Sequence, residues 1–162
     1  MNWHTREMTS GDWAMVAMIY KEGIDSRMAT FKETLPTQEE WFQGHLPQCR
    51  LILENENGQI CGFAALSKMR SLDAYHGFAE LSIYIANDCQ KQGGGLFLLQ
   101  SLCEEAQKAG FWTLLSWIFL KNQPSVSLHE ACGFRKVGIH EKAAQLDGEW
   151  LDILVMEKRL SN

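Results

Sequence analysis

Gln90-Lys91-Gln92-Gly93-Gly94-Gly95 stands between two segments of different periodicity. Before it, Glu80-Leu81-Ser82-Ile83-Tyr84-Ile85 alternates and is rich in β-branched and aromatic side chains, the pattern of a strand. After it, Leu96 to Ala106 carries apolar side chains at helical spacing. A glycine turn that opens a helix leaves the first backbone N–H groups without intrahelical partners. With no Cβ in the way, a phosphate can approach those donors closely. The stretch reads as a strand–turn–helix unit for a phosphate-bearing cofactor.

Working outward, residues 2–7 suit a first strand, and Ser10-Gly11-Asp12 offers capping chemistry for a helix to about Lys21. Residues 22–36 have no clean period and read as a loop with at most a short helical turn. Thr37 and Glu40 are spaced as a capping box for a second helix. Arg50 to Glu54 and Gln59 to Leu66 form a hairpin about Asn57-Gly58. Phe78 to Ile85 is the strand before the glycine turn, and Gly110 ends the helix after it. Phe111 to Phe119 is short and apolar enough for a buried strand. A helix from about Pro124 to Cys132 is stopped by Gly133, and strands near 134–141 and 149–158 follow. This order predicts an α/β fold with a mixed sheet and helices on its faces, not a regular doubly wound one.

The 162 residues are 46% hydrophobic and 22% charged, which fits one soluble domain with a self-sufficient core. A net charge of −5, with no long Lys/Arg cluster, argues against nucleic acid or an acidic membrane as the main partner. The polar start is not a signal peptide and no apolar stretch approaches a membrane span, so a cytoplasmic protein is expected. Cys49, Cys61, Cys89, Cys103 and Cys132 are odd in number, with no CxxC pair. That spacing predicts neither a disulfide framework nor a zinc site, and leaves all five as structural residues.

Two common phosphate motifs fail on residue identity. No Gly-Lys-Ser/Thr ending supplies a Walker loop, and Leu98 stands where a dinucleotide fingerprint needs its third glycine. What fits is Q/R-x-x-G-x-G/A, met by Gln90, Gly93 and Gly95. A second block, Asn122-Gln123-Pro124-Ser125 through Glu130-Ala131-Cys132-Gly133-Phe134, follows about 27 residues after Gly95. Together the blocks resemble the GNAT superfamily of acyl-CoA-dependent N-acyltransferases. Gly23 to Arg27, Phe31, Pro36-Thr37 with Glu40-Trp41, Asp73-Ala74-Tyr75, Pro124-Ser125-Val126 and Gly148 to Asp152 resemble its phosphinothricin acetyltransferase branch in particular. The likeness runs in order along nearly the whole chain. It implies the GNAT fold, a mixed and mostly antiparallel central sheet flanked by helices, and a single domain over residues 1–162.

The resemblance also implies site residues. Acetyl-CoA is the expected co-substrate. Gln90, Lys91, Gln92, Gly93, Gly94, Gly95 and Leu96 would present the turn to its pyrophosphate, where the helix dipole adds about 0.3–1 kcal/mol. Asn122 matches the residue that meets the pantetheine arm. Ile83, Tyr84 and Ile85 would pair with that arm through their backbones, as an added strand does, and one of their N–H groups could hold a developing oxyanion. Glu80 matches the branch's catalytic Glu, a general base. His129 occupies the position where the branch has His and much of the superfamily has Tyr, and it could serve as acid, base or substrate contact. Phe31 and Tyr75, with Trp41, would wall an acceptor pocket, and Arg27 and Arg70 are candidate partners for a carboxylate. Trp112 and Trp117 read as core or interface.

These features predict acetyl transfer to the amine of a small amino acid or analogue of the phosphinothricin or methionine sulfoximine kind, by direct attack in a ternary complex. Relatives of this kind commonly form homodimers. Leu72, His76 and Phe78 depart from the polar or charged residues usual in the branch, which implies a poor fit for phosphinothricin itself. The competing readings are a polyamine or protein N-terminus as acceptor, and an acetyl-CoA-binding module without turnover.

Overall fold

The computed structural model describes residues 1–160. Strands β1 (His4–Glu7), β2 (Leu51–Glu54), β3 (Ile60–Lys68), β4 (Phe78–Ile85), β5 (Thr113–Phe119), β6 (Arg135–Leu146) and β7 (Glu149–Arg159) form one sheet in the order β1-β2-β3-β4-β5-β7-β6. Every adjacent pair is antiparallel except β4 and β5. That parallel pair holds only from Phe78↔Thr113 to Glu80↔Leu115. Beyond Glu80 the two strands part, while β4 stays zipped to β3 as far as Gly62↔Ile85. The sheet is therefore split along its middle.

Alternation along the strands sorts the helices. Phe63 and Tyr84 are register partners and share the face on which Tyr20 of α1 (Trp13–Ser26) and Trp41 of α2 (Gln38–Gln43) pack. Leu53, Gly62 and Ile85 point the other way, toward α3 (Gly94–Lys108) and α4 (Gln123–Ala131). Buried Leu98, Leu99, Leu102 and Ala106 form the apolar stripe that α3 lays on the sheet. No helix among the described residues is long and apolar enough to cross a membrane.

The Thr37–Glu40 capping box is present, with Glu40 N–H donating to Thr37 Oγ1 at 3.1 Å and Thr37 N–H to Glu40 Oε1 at 2.9 Å. Three expectations need correction. Helix α1 runs past Gly23 to Ser26 and ends at Arg27, in the left-handed region with φ 59°. A side chain at 23 would meet the Tyr84 ring at 2.7 Å, so tertiary contact selects the glycine inside the helix. Strand β6 extends to Leu146 across a bulge, where Lys142 N–H donates to Asp152 Oδ1 at 2.8 Å. Finally, Cys61 and Cys89 are joined in a disulfide, with Cα atoms 5.7 Å apart. Their separation of 28 residues hides a neighbourhood created where the chain turns out of β4, at Ala86 N–H to Cys61 O. Cys49, Cys103 and Cys132 are free thiols.

Candidate active site

The glycine turn folds as its sequence requires. Gly93 has φ 87°, a conformation that costs other residues energy, and it caps α3 without any side-chain hydrogen bond. The first helical bond of the turn is Phe97 N–H to Gly93 O at 3.2 Å. The N–H groups of Gly94, Gly95 and Leu96 precede it and have no intrahelical acceptor. A Cβ on Gly94 would lie 3.0 Å from both Leu53 and the Trp3 ring, and one on Gly95 would lie 3.3 Å from Leu128. Glycine here lets α3 start hard against the sheet and α4.

The side chains around the turn brace it. Trp3 Nε1–H donates to Gln92 O at 3.2 Å, Gln90 Nε2–H to Ile85 O at 3.3 Å, and Gln92 Nε2–H to Asp88 O at 3.4 Å. The Cys61–Cys89 bond anchors the segment just before it. Lys91 is exposed and itself in the left-handed region, φ 61°.

Where β4 and β5 part, a cleft of about 550 Å³ opens on the α1–α2 side. Its walls include residues 81–84 of β4 and residues 116–119 of β5. Glu80 lies at the last paired position, half-buried, and burial pushes its carboxyl upward. Across the split, α4 brings His129 to the same cleft, only 1% exposed. Its Nδ1 lies 2.8 Å from Ser125 O. A carbonyl can only accept, so Nδ1 carries the proton and Nε2 presents a lone pair. That Nε2 is buried without a partner. Burial lowers the imidazole pKa, opposed by the Ser125 carbonyl, so the ring is neutral near pH 7.

Asn122 lines the cleft and caps α4. Its Oδ1 accepts from Ser125 N–H at 3.4 Å, and its Nδ2–H donates to Met28 O at 3.0 Å. The second bond fastens the α1–α2 loop over the cleft. Phe31 of that loop packs against Phe119 in a tilted pair with centroids 4.8 Å apart, and joins Leu146, Leu151 and Ile153.

Tyr75 is placed elsewhere. It lines a separate hollow of about 200 Å³ with Lys68, Arg70, Leu72, His76 and Phe78. Arg70 sits over its ring at 4.9 Å. Arg27 is engaged by Asp147 at 3.2 Å, and neither arginine lines the cleft. Trp117 does line it, 49% exposed and stacked on His140.

The cleft residues that sequence reasoning missed include Tyr20, Thr30, Lys32 and His45. His45 stacks on Trp41 at 4.1 Å and donates from Nδ1 to Trp41 O at 2.7 Å. His45 lies beyond the end of α2, so helical spacing gave no signal of that pair.

A glycine cradle at a helix start, a split sheet and a carboxylate and an imidazole lining one cleft are what an acyl-CoA-dependent transferase needs. The Acetyltransferase (GNAT) domain family model matches residues 6–155. The chain is a GNAT acetyltransferase. YwnH of Bacillus subtilis, provisionally named a phosphinothricin acetyltransferase, is 35% identical over 154 residues, covering 93% of this chain and 94% of that one. The L-methionine sulfoximine/L-methionine sulfone acetyltransferase of Pseudomonas paraeruginosa is 28% identical over 160 residues, with 96% and 93% covered. The crystal structure of a Sinorhizobium meliloti phosphinothricin acetyltransferase in complex with acetyl-CoA superposes with a TM-score of 0.90 at 27% identity, covering 99% of this chain and 90% of that one. The GNAT acetyltransferase therefore uses acetyl-CoA as co-substrate and belongs to the phosphinothricin and methionine sulfoximine acetyltransferase type.

Proposed function

We propose that this acetyltransferase acetylates the α-amine of a small amino acid or analogue of the methionine sulfoximine, methionine sulfone or phosphinothricin kind, by direct attack in a ternary complex. Acetyl-CoA supplies the activated thioester carbonyl. The N–H groups of Gly94, Gly95 and Leu96 would hold its pyrophosphate, and the free edge of Ile83, Tyr84 and Ile85 its pantetheine arm, with Asn122 opposite. Amide formation removes two protons from an ammonium acceptor. Glu80 is assigned the first, because burial has already raised its proton affinity toward that of a useful base. His129 Nε2, neutral and unpartnered, is assigned the second, which it returns to the coenzyme A thiolate as the thioester C–S bond breaks. The single observation that carries this reading is the approach of Glu80 and His129, from β4 and α4, to one cleft beside the parted strands.

Phe31 forms the apolar wall for the acceptor. Tyr75 is assigned a secondary role through the separate hollow that it lines with Leu72, His76 and Phe78. The reading includes residues 1–162 acting as one catalytic domain in a cytoplasmic homodimer. The exposed apolar side chains of Trp117, Ile139 and Trp150 on the β5–β7–β6 half favour self-association, which light scattering would measure.

A thiol-release assay over amino acids, sulfoximines, sulfones and polyamines tests the acceptor. Sulfoximines or sulfones should lead the panel, with phosphinothricin behind. A polyamine or peptide N-terminus turned over faster than every amino acid contradicts the reading, and no turnover at all contradicts the enzyme.

A further inference from the structure

An α-amino acid is a zwitterion, so a site selective for it needs an anion for the nitrogen and a cation for the carboxylate. The Glu80 cleft supplies the first, and its lining offers a single Lys or Arg for the second, Lys32. Arg27 is held by Asp147, and Arg70 lies over Tyr75 in the other hollow. Lys121 is drawn toward Glu149 at 3.7 Å.

Lys32 has an anchored backbone and an ammonium in no ion pair among the described residues. Its backbone N–H donates to Thr30 Oγ1 at 3.1 Å, closing a small turn in a loop already pinned by Asn122 to Met28 and by Phe31 to Phe119. Glu40, the acid on the same rim, accepts from Thr37 N–H and feels the Lys32 charge, which helps the capping bonds hold its carboxyl low, but the two form no ion pair. The charge of the ammonium also reaches His45, which burial above all holds low and to which Arg50 and Lys32 add.

We infer that Lys32 binds the carboxylate of the acceptor and so sets the preference of this enzyme for α-amino acids over plain amines. This deepens the amino-acid reading and rests on it. A lysine ammonium is a mobile point charge with three donors, suited to a carboxylate that arrives with varied side chains. A charge-assisted hydrogen bond of this kind changes affinity by roughly ten- to a hundredfold.

The test uses full-length wild type, Lys32→Ala and Lys32→Arg. The acceptor is whichever of L-methionine sulfone, L-methionine sulfoximine and phosphinothricin wild type turns over fastest, assayed beside its carboxamide. Lys32→Ala should raise KM for the carboxylate acceptor about tenfold or more, leave kcat within about threefold and leave KM for acetyl-CoA unchanged. The carboxamide should lose nothing further, and Lys32→Arg should recover most of the loss. An unchanged acceptor KM, an equal loss for acid and carboxamide, or a rise confined to acetyl-CoA overturns the assignment while leaving the amino-acid reading intact. Failure of wild type on every α-amino acid overturns both.

Discussion

The two halves of the cleft are made in different ways. The half proposed for the donor is mostly backbone: a left-handed glycine, the first N–H groups of α3 and the unzipped edge of β4, all within residues 83–96. The half proposed for the acceptor is side chains from distant segments, with Phe31 and Lys32 on the α1–α2 loop, His45 beyond α2, Glu80 on β4 and His129 on α4. A site made of backbone tolerates little substitution at its glycines. A site made of side chains can change its acceptor through one residue at a time while the donor half stays as it is.

The contrast can be broken most sharply at His129. His129→Ala should lower kcat about a hundredfold with KM for acetyl-CoA nearly unchanged, as expected for a group that only handles protons. Because burial holds its pKa below 6.5, activity that depends on it should persist at pH 6.5 and fall only under more acid conditions. A limb centred above pH 6.5 would contradict the neutral imidazole.

A scaffold effect of intermediate size lies far from the cleft. Arg6 donates to both oxygens of buried Asp12 at 2.9 and 2.8 Å, and holds its carboxyl at about 2 against an ordinary 3.8. A carboxyl depressed in the folded state stabilises above its unfolded pKa and loses that contribution as pH falls from about 4 toward 2. Arg6 is 32% exposed, so screening limits the gain to about 1–2 kcal/mol. Urea titrations should show this acid loss in wild type and a flatter profile in Asp12→Asn.

On the donor side, Gly94→Val would drive side-chain atoms into Leu53 and Trp3. It should raise KM for acetyl-CoA about tenfold while acceptor KM moves little, the mirror image of the Lys32 result. The smallest expected effect is discrimination between acceptors. Phosphinothricin should trail methionine sulfone several-fold in kcat/KM, and introducing polarity with Phe78→Thr should narrow that gap.

The same division explains what the sequence could show. The glycine turn, the capping box and the Phe78–Ile85 strand are local, so residue types at fixed offsets reveal them. The family likeness then supplied the partners Glu80 and His129, which spacing alone leaves as ordinary polar residues. Lys32, His45 and Trp3 gave no such signal, because each acquires its place only when distant segments pack. The Cys61–Cys89 bond was hidden for the same reason. Tyr75 shows the converse: a resemblance carries a residue's identity to a position, but the surrounding loop decides which hollow it lines.

The account turns on Glu80 taking the proton from the acceptor nitrogen inside the cleft where β4 leaves β5. Single-turnover acetyl transfer to L-methionine sulfone, with both substrates saturating, measures this step in wild type and Glu80→Gln. The account predicts at least a tenfold slower transfer in the variant, with acetyl-CoA affinity and the melting curve unaltered. Equal rates in the two proteins would remove Glu80 from the chemistry.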